Sequence, residues 1–178
     1  MRNAKHPGTS GGVNYLKGMT EVVNRLNIEL KEIKEGSVKG LVKAVAYIRE
    51  ETEKQGNPMT PYDKGNLKRS WFCVSKERVH VGSGSVQFKG VNAEKFSSDH
   101  SKGVNEAQAE VGTKDTENRK HVMFGYTMKY SGFVHEMLGA HLQSKFGRTP
   151  EPQWFQKNIN KNRCTIVEII KENIQIKK

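Results

Sequence analysis

Leu16, Met19, Val23, Leu26, Leu30 and Ile33 recur at alternating steps of three and four residues, with Glu21, Glu29, Lys31 and Glu32 on the other faces. Such spacing returns to one side of a 3.6-residue turn, so it predicts an amphipathic helix whose stripe faces a core or a partner. Gly36-Ser37 interrupts the pattern, and Ser37 is placed to cap a second helix carrying Val38, Leu41, Val42, Val45 and Ile48. A pair of helices joined by a tight turn is therefore expected. The second should stop at Gly56-Asn57-Pro58, where a glycine C-cap meets a helix breaker.

Residues 1–12 hold two consecutive glycines, a proline and two positive charges, the composition of a flexible arm. Residues 13–178 are sized for one domain with its own core. Only 34% of the chain is apolar and its mean hydropathy is −0.75, so part of it is expected to order against neighbours. The formal net charge of +11 favours polyanions or acidic protein surfaces. Cys73 and Cys164 lie outside any CxxC pattern and suggest neither a disulfide framework nor a zinc site; both read as small core hydrophobes. No apolar run approaches the roughly 20 residues that span a bilayer, and the N-terminus lacks the apolar core of a signal peptide. A protein made and kept in a cytosol, or in something assembled there, is expected.

Further along, the aromatic and β-branched residues from Trp71 to Phe88 predict one or two strands, with Gly82-Ser83-Gly84 as the hairpin turn. From about 91 to 120 the chain is polar, with Phe96, Val104 and Val111 isolated; a projecting loop or hairpin, or a segment docked on another subunit, is expected. Val122, Phe124, Tyr126 and Met128 alternate as in a half-buried strand. Tyr130, Phe133, Val134, Met137 and Leu138 switch to helical spacing, which makes Phe133 a core residue alongside Leu67. A loop from Gly139 to Pro152 follows, and then one terminal helix lined by Trp154, Phe155, Ile159, Ile166, Val167, Ile169, Ile170 and Ile174.

Two segments stand out chemically. In Met59 to Trp71, Thr60 can cap, Pro61 presets a first helical turn, and Asp63 can cap a short helix through Ser70 instead, because Gly65 interrupts the turn. Lys64, Lys68 and Arg69 share its exposed side, where they can meet phosphates, carboxylates or only water. His135-Glu136, with His141 beyond, invites an acid–base or metal reading, but on a helical wheel His135 points away from the apolar stripe and a third ligand must come from a loop. Phosphate-binding loops, nucleophile elbows and HExxH motifs are missing. No catalytic, metal or cofactor site is expected.

The order of features resembles the tailed-bacteriophage neck and tail-completion (head–tail joining) proteins, typified by gene product ten of phage HK97. In that family a helical segment leads to Pro-x-x-(Thr or Asp)-Gly-x-Leu-(Arg or Lys)-x-Ser, which reads here Pro61, Gly65, Leu67, Lys68, Arg69 and Ser70. Strands follow, then a Tyr-Ala-x-x-Val-(His or Glu)-Glu motif, matched by Tyr130, Val134, His135 and Glu136, and an aromatic-started helix matched by Trp154 and Phe155. The likeness covers about residues 38–174, with Lys64 where threonine is common before the glycine, Ser131 in place of the usual alanine and a longer polar insertion. It implies an α+β fold: two N-terminal helices and a C-terminal helix packed on a twisted antiparallel sheet, with a long polar insertion.

By the same resemblance, the expected function is a non-enzymatic virion protein assembled in the host cytoplasm. Its expected partners are copies of itself in a six-fold or twelve-fold ring, the portal and head-closure proteins, and the tail tube, with double-stranded DNA crossing the lumen and no membrane. Function then lies in surfaces, including Lys68 and Arg69 turned to a neighbouring subunit. The alternative from charge alone is a basic nucleic-acid-binding protein of phage or bacterial origin, although no reading module is recognisable. An enzyme built on His135, Glu136 and His141 is the remaining expectation.

Overall fold

The computed structural model describes residues 12–61, 65–82, 86–116, 119–136 and 151–174, with side-chain surroundings from Glu21 onward. Its first element is one continuous helix, α1 (Gly12–Glu51), where a helical pair was expected. The reason lies at the presumed break. Ser37 does not cap a new helix; its hydroxyl donates to the Ile33 carbonyl 2.8 Å away, one turn back in the same helix. Gly36 and Gly40 are contact glycines, because α6 (Arg163–Ile174) crosses there. A Cβ built on Gly36 would lie 2.3 Å from the Asn173 carbonyl oxygen, and one on Gly40 3.0 Å from the Ile170 backbone. Helix propensity given up at two glycines, about 1 kcal/mol each, is thereby exchanged for close helix packing. The helix ends at Glu51, ahead of the expected stop at Gly56-Asn57-Pro58, and that segment folds back on the helix end: Gly56 adopts φ 84°, and Asn57 Nδ2 donates to the Glu51 carbonyl and carboxylate at 3.1 and 2.8 Å.

After a short helix α2 (Asn66–Arg69), strands β1 (Trp71–Ser75), β2 (Val79–Val81) and β3 (Val122–Tyr126) form an antiparallel sheet in the order β2-β1-β3. The hairpin turns earlier than expected. Ser75 N–H donates to the Arg78 carbonyl at 2.9 Å, so Lys76-Glu77-Arg78 makes the turn and Gly82 ends β2. Gly82 holds φ 96° against Phe72, whose Cβ lies 2.9 Å from where a Gly82 side chain would begin.

Central strand β1 is buried along its whole length because both faces are covered. Trp71 and Cys73 face Val45 of α1, with Phe124 and Phe155 packed alongside; Phe72 and Val74 face the other way. That second face is covered by α3 (Ala93–Lys114), which corrects the expected loop or hairpin between 91 and 120. His100, Val104, Ala107 and Val111 recur at steps of four, three and four and are the buried side of α3. Asp115 ties its end to β3, accepting from the His121 N–H at 2.8 Å and from Lys120 Nζ at 2.9 Å. The architecture is α+β, a three-stranded antiparallel sheet between helices. The expected single terminal helix is two, α5 (Trp154–Lys161) and α6, parted at Asn162, whose side chain links to Tyr47 at 3.1 Å and to the Asn158 carbonyl at 2.9 Å.

Burial of His100 has a consequence for stability. Its Nδ1 pairs with Thr127 Oγ1 at 2.7 Å and its Nε2 with the Gly82 carbonyl at 3.1 Å. Burial lowers the imidazole pKa below its ordinary value, only partly offset by the Gly82 carbonyl. The unfolded chain therefore takes up the proton first as pH falls, so stability is full above the unfolded value of about 6.5 and is lost from there down to the folded pKa. Thermal melts from pH ~7.5 to ~5 should show the midpoint falling, with a weaker fall in His100→Gln.

Of the two cysteines read as core residues, Cys73 is buried, with its thiol pushed up to about 11 by burial, whereas Cys164 is exposed. No helix among the described residues is long and apolar enough to cross a membrane.

Candidate assembly surfaces

The two motif segments, far apart in sequence, meet around Trp154. Gly65 takes the left-handed conformation (φ 79°) at the N-cap of α2, which turns Leu67 inward against Trp154, Phe88 and Met128. Asp63 and Lys64 lie outside the described residues, and the N-cap position itself belongs to Gly65. Buried Ser70 returns its hydroxyl to the Leu67 carbonyl at 2.8 Å, while its own carbonyl accepts the Thr127 N–H at 3.0 Å. Buried Thr60 shares a 2.9 Å hydrogen bond with the Tyr126 hydroxyl, and Pro61 beside it is half-buried. The segment is a fixed joint between α1 and the sheet.

From the other side comes α4 (Ser131–Glu136). Half-buried Val134 packs on the Trp154 cluster, and the His135 ring stands edge-on to Trp154 at 4.8 Å, so His135 points toward the core and not away from it. Its Nδ1 lies 2.6 Å from Glu136 Oε1, and its carbonyl accepts the Gln153 N–H at 2.7 Å. The hydrogen bonds from His135 and then Gln153 hold the Glu136 pKa below its ordinary value. Phe155 packs on Trp71 and Phe124 at ring distances of 5.7 and 5.4 Å. His141 lies outside the described residues. Among the described residues, no group of three His, Cys, Asp or Glu side chains is placed to share a metal ion.

Two placements differ from expectation. Phe133 is 72% exposed and Tyr130 is also exposed, so α4 turns the aromatic side of its stripe outward. Phe133→Asp, expected from sequence to prevent folding, should instead leave the melting temperature within about 2 °C of the unchanged chain, as for other exposed positions. Lys68 is not simply presented to a neighbour: its Nζ pairs with Glu53 Oε2 at 2.7 Å, tying α2 to the end of α1. Arg69 is half-buried.

The exposed surface holds two features. Residues 21–30 of α1 are all exposed, including Val22 and Val23, with Leu26 and Leu30 accessible to 53% and 49%. The stripe legible in sequence thus projects past the end of α6, and no described residue covers it. Along the other side of α1 a groove of about 600 Å³ opens toward the β1–β2 turn, with Val38 and Val42 on its floor and Lys31, Lys34, Lys39, Lys43, Arg78 and Lys120 around it.

No protein-family model, curated protein or solved structure matches the chain. The groove was not read from sequence, because its cations come from three separate stretches, and Lys31, Lys34, Lys39 and Lys43 spread over half the circumference of α1.

Proposed function

We propose that the chain is a non-enzymatic structural subunit of a tailed-phage virion, forming a ring in the neck that joins the portal and head-closure proteins to the tail. The observation that carries this reading is the uncovered apolar stripe of α1. An isolated helix is marginal in water, and its stability in proteins comes from burying an apolar face. Val22, Val23, Leu26 and Leu30 therefore call for a partner surface, and contacts repeated between copies build a closed ring when each subunit offers different faces to its two neighbours. The motif order supports the same class, since Pro61 to Ser70 and Tyr130 to Glu136 serve as the joint that sets α1 against the sheet.

In this role the protein is incorporated into virions from the host cytoplasm, and the DNA passes through the ring. The reading is tested in a phage that encodes the chain. Removing it should leave filled heads and finished tails unjoined in electron micrographs, with joining restored by the unchanged chain but not by Leu26→Glu with Leu30→Glu. Normal particles without the chain would sink the proposal.

The +11 charge and the basic groove favour a second reading, a nucleic-acid-binding protein. It requires tight duplex binding that weakens steeply with salt.

A further inference from the structure

The groove beside α1 has a chemistry that selects its occupant. Its floor at the basic end is aliphatic, Val38 and Val42, and six cationic side chains stand around it against two carboxylates, Glu35 and Glu77. Of those cations Lys120 is engaged by Asp115, whereas Lys31, Lys39, Lys43 and Arg78 form no ion pair with a described residue. At Val42 this hollow meets a second one of about 540 Å³, floored by Val45, Trp71, Cys73 and Val81. The two together follow α1 from Lys31 to Glu50, a length of ~29 Å at the helical rise.

We propose that this groove seats an acidic amphipathic helix of a different protein, its apolar residues on Val38 and Val42 and its carboxylates on the surrounding lysines and Arg78. Helix-in-groove docking needs this pairing of an apolar floor with a charged rim. Nucleic acid would use only the rim: a phosphate backbone gains nothing from valines, and among the residues lining the basic end the single ring is the His80 imidazole, tied to Ser75 Oγ at 2.9 Å, which is no platform for successive bases. A second copy's projecting helix does not suit the rim either. Between Gly12 and Leu30 it carries Lys17 and Arg25 against Glu21 and Glu29, and so brings no net negative charge.

The groove stands whether or not the chain closes into a ring, and its test is separate. Fluorescence anisotropy of the full chain would compare three labelled probes at one ionic strength: a designed glutamate-rich helix with leucines at i, i+3, i+4 and i+7, oligoglutamate of the same length, and a DNA duplex of matching length. The amphipathic helix should bind at least about tenfold more tightly than either other probe, and Lys39→Glu with Lys43→Glu should weaken it at least about tenfold. Lys39 and Lys43 are exposed, so the double variant should melt where the unchanged chain does. A Val38→Asn variant, which removes the apolar contact without adding charge, should weaken the helix and leave oligoglutamate unaffected. Equal binding of oligoglutamate or duplex would overturn the proposal, as would undetectable binding of the helix or binding that ignores the Lys39 and Lys43 changes.

Discussion

Trp154→Ala should cost about 3–5 kcal/mol, the range for removing a large aromatic from a packed core. Trp154, in α5, is fully buried and shares one core cluster with Leu67 of α2, Phe88 ahead of α3, Met128, and Val134 of α4, with the His135 ring edge-on to it. A domain of this size is typically stable by about 5–15 kcal/mol, so the loss should remove about a fifth or more of the folding free energy. Chemical denaturation should show a lower midpoint at unchanged slope, with Trp154→Phe intermediate because it keeps part of the volume. A Trp154→Ala variant as stable as the unchanged chain would mean that the two motif segments do not depend on this contact.

Gly36→Ala and Gly112→Ala should move stability in opposite directions although both place alanine in a helix. At Gly36 the new Cβ meets the Asn173 carbonyl oxygen at 2.3 Å, a backbone atom that yields only if α6 moves away from α1. Overpacking of this kind costs about 1–3 kcal/mol, and it should expose residues 163–174 to faster amide exchange. At Gly112 nothing lies within 4 Å, so alanine should stabilise α3 by up to about 1 kcal/mol through propensity alone. If both variants were stabilised, the close α1–α6 crossing would be wrong, and Gly36 would be a mere interruption in a helix that had room to spare.

These glycines also mark where sequence reasoning met its limit. Gly36-Ser37 was read as a turn because glycine weakens helices locally. Its actual role, letting α6 approach, depends on residues more than 130 positions away that no local pattern contains. Helix α3 escaped notice for a different reason. Its buried side consists of His100, Val104, Ala107 and Val111, of which His100 does not register as apolar in a hydropathy pattern and Ala107 does so only weakly, although both occupy core positions at helical spacing. The alternation in β3 and the inward turn of Leu67 were legible, since strand period and a glycine-led turn are local properties. Helical spacing in α4 gave the correct element but not its burial. It marks which residues share a side, and Phe133 shows that this side can face outward.

The same distinction governs the candidate surfaces. The stripe from Leu16 to Ile33 was visible from its period, while the structure adds that Val23, Leu26 and Leu30 are left uncovered and Ile33 is half-buried. The basic groove was invisible because its floor belongs to α1 and its rim is completed by the β1–β2 turn and the start of β3.

Whether the projecting half of α1 holds neighbouring copies together is decided by the mass of the particle in solution. Native mass spectrometry of the unchanged chain should show a closed ring of one stoichiometry, six or twelve copies by family likeness. Leu26→Glu with Leu30→Glu should give folded monomers, since burying a leucine is worth roughly 1.5–3 kcal/mol and losing two weakens each contact by at least about a hundredfold. A chain that remains monomeric alone and with portal or tail proteins, or a ring that survives both glutamates, would contradict the account.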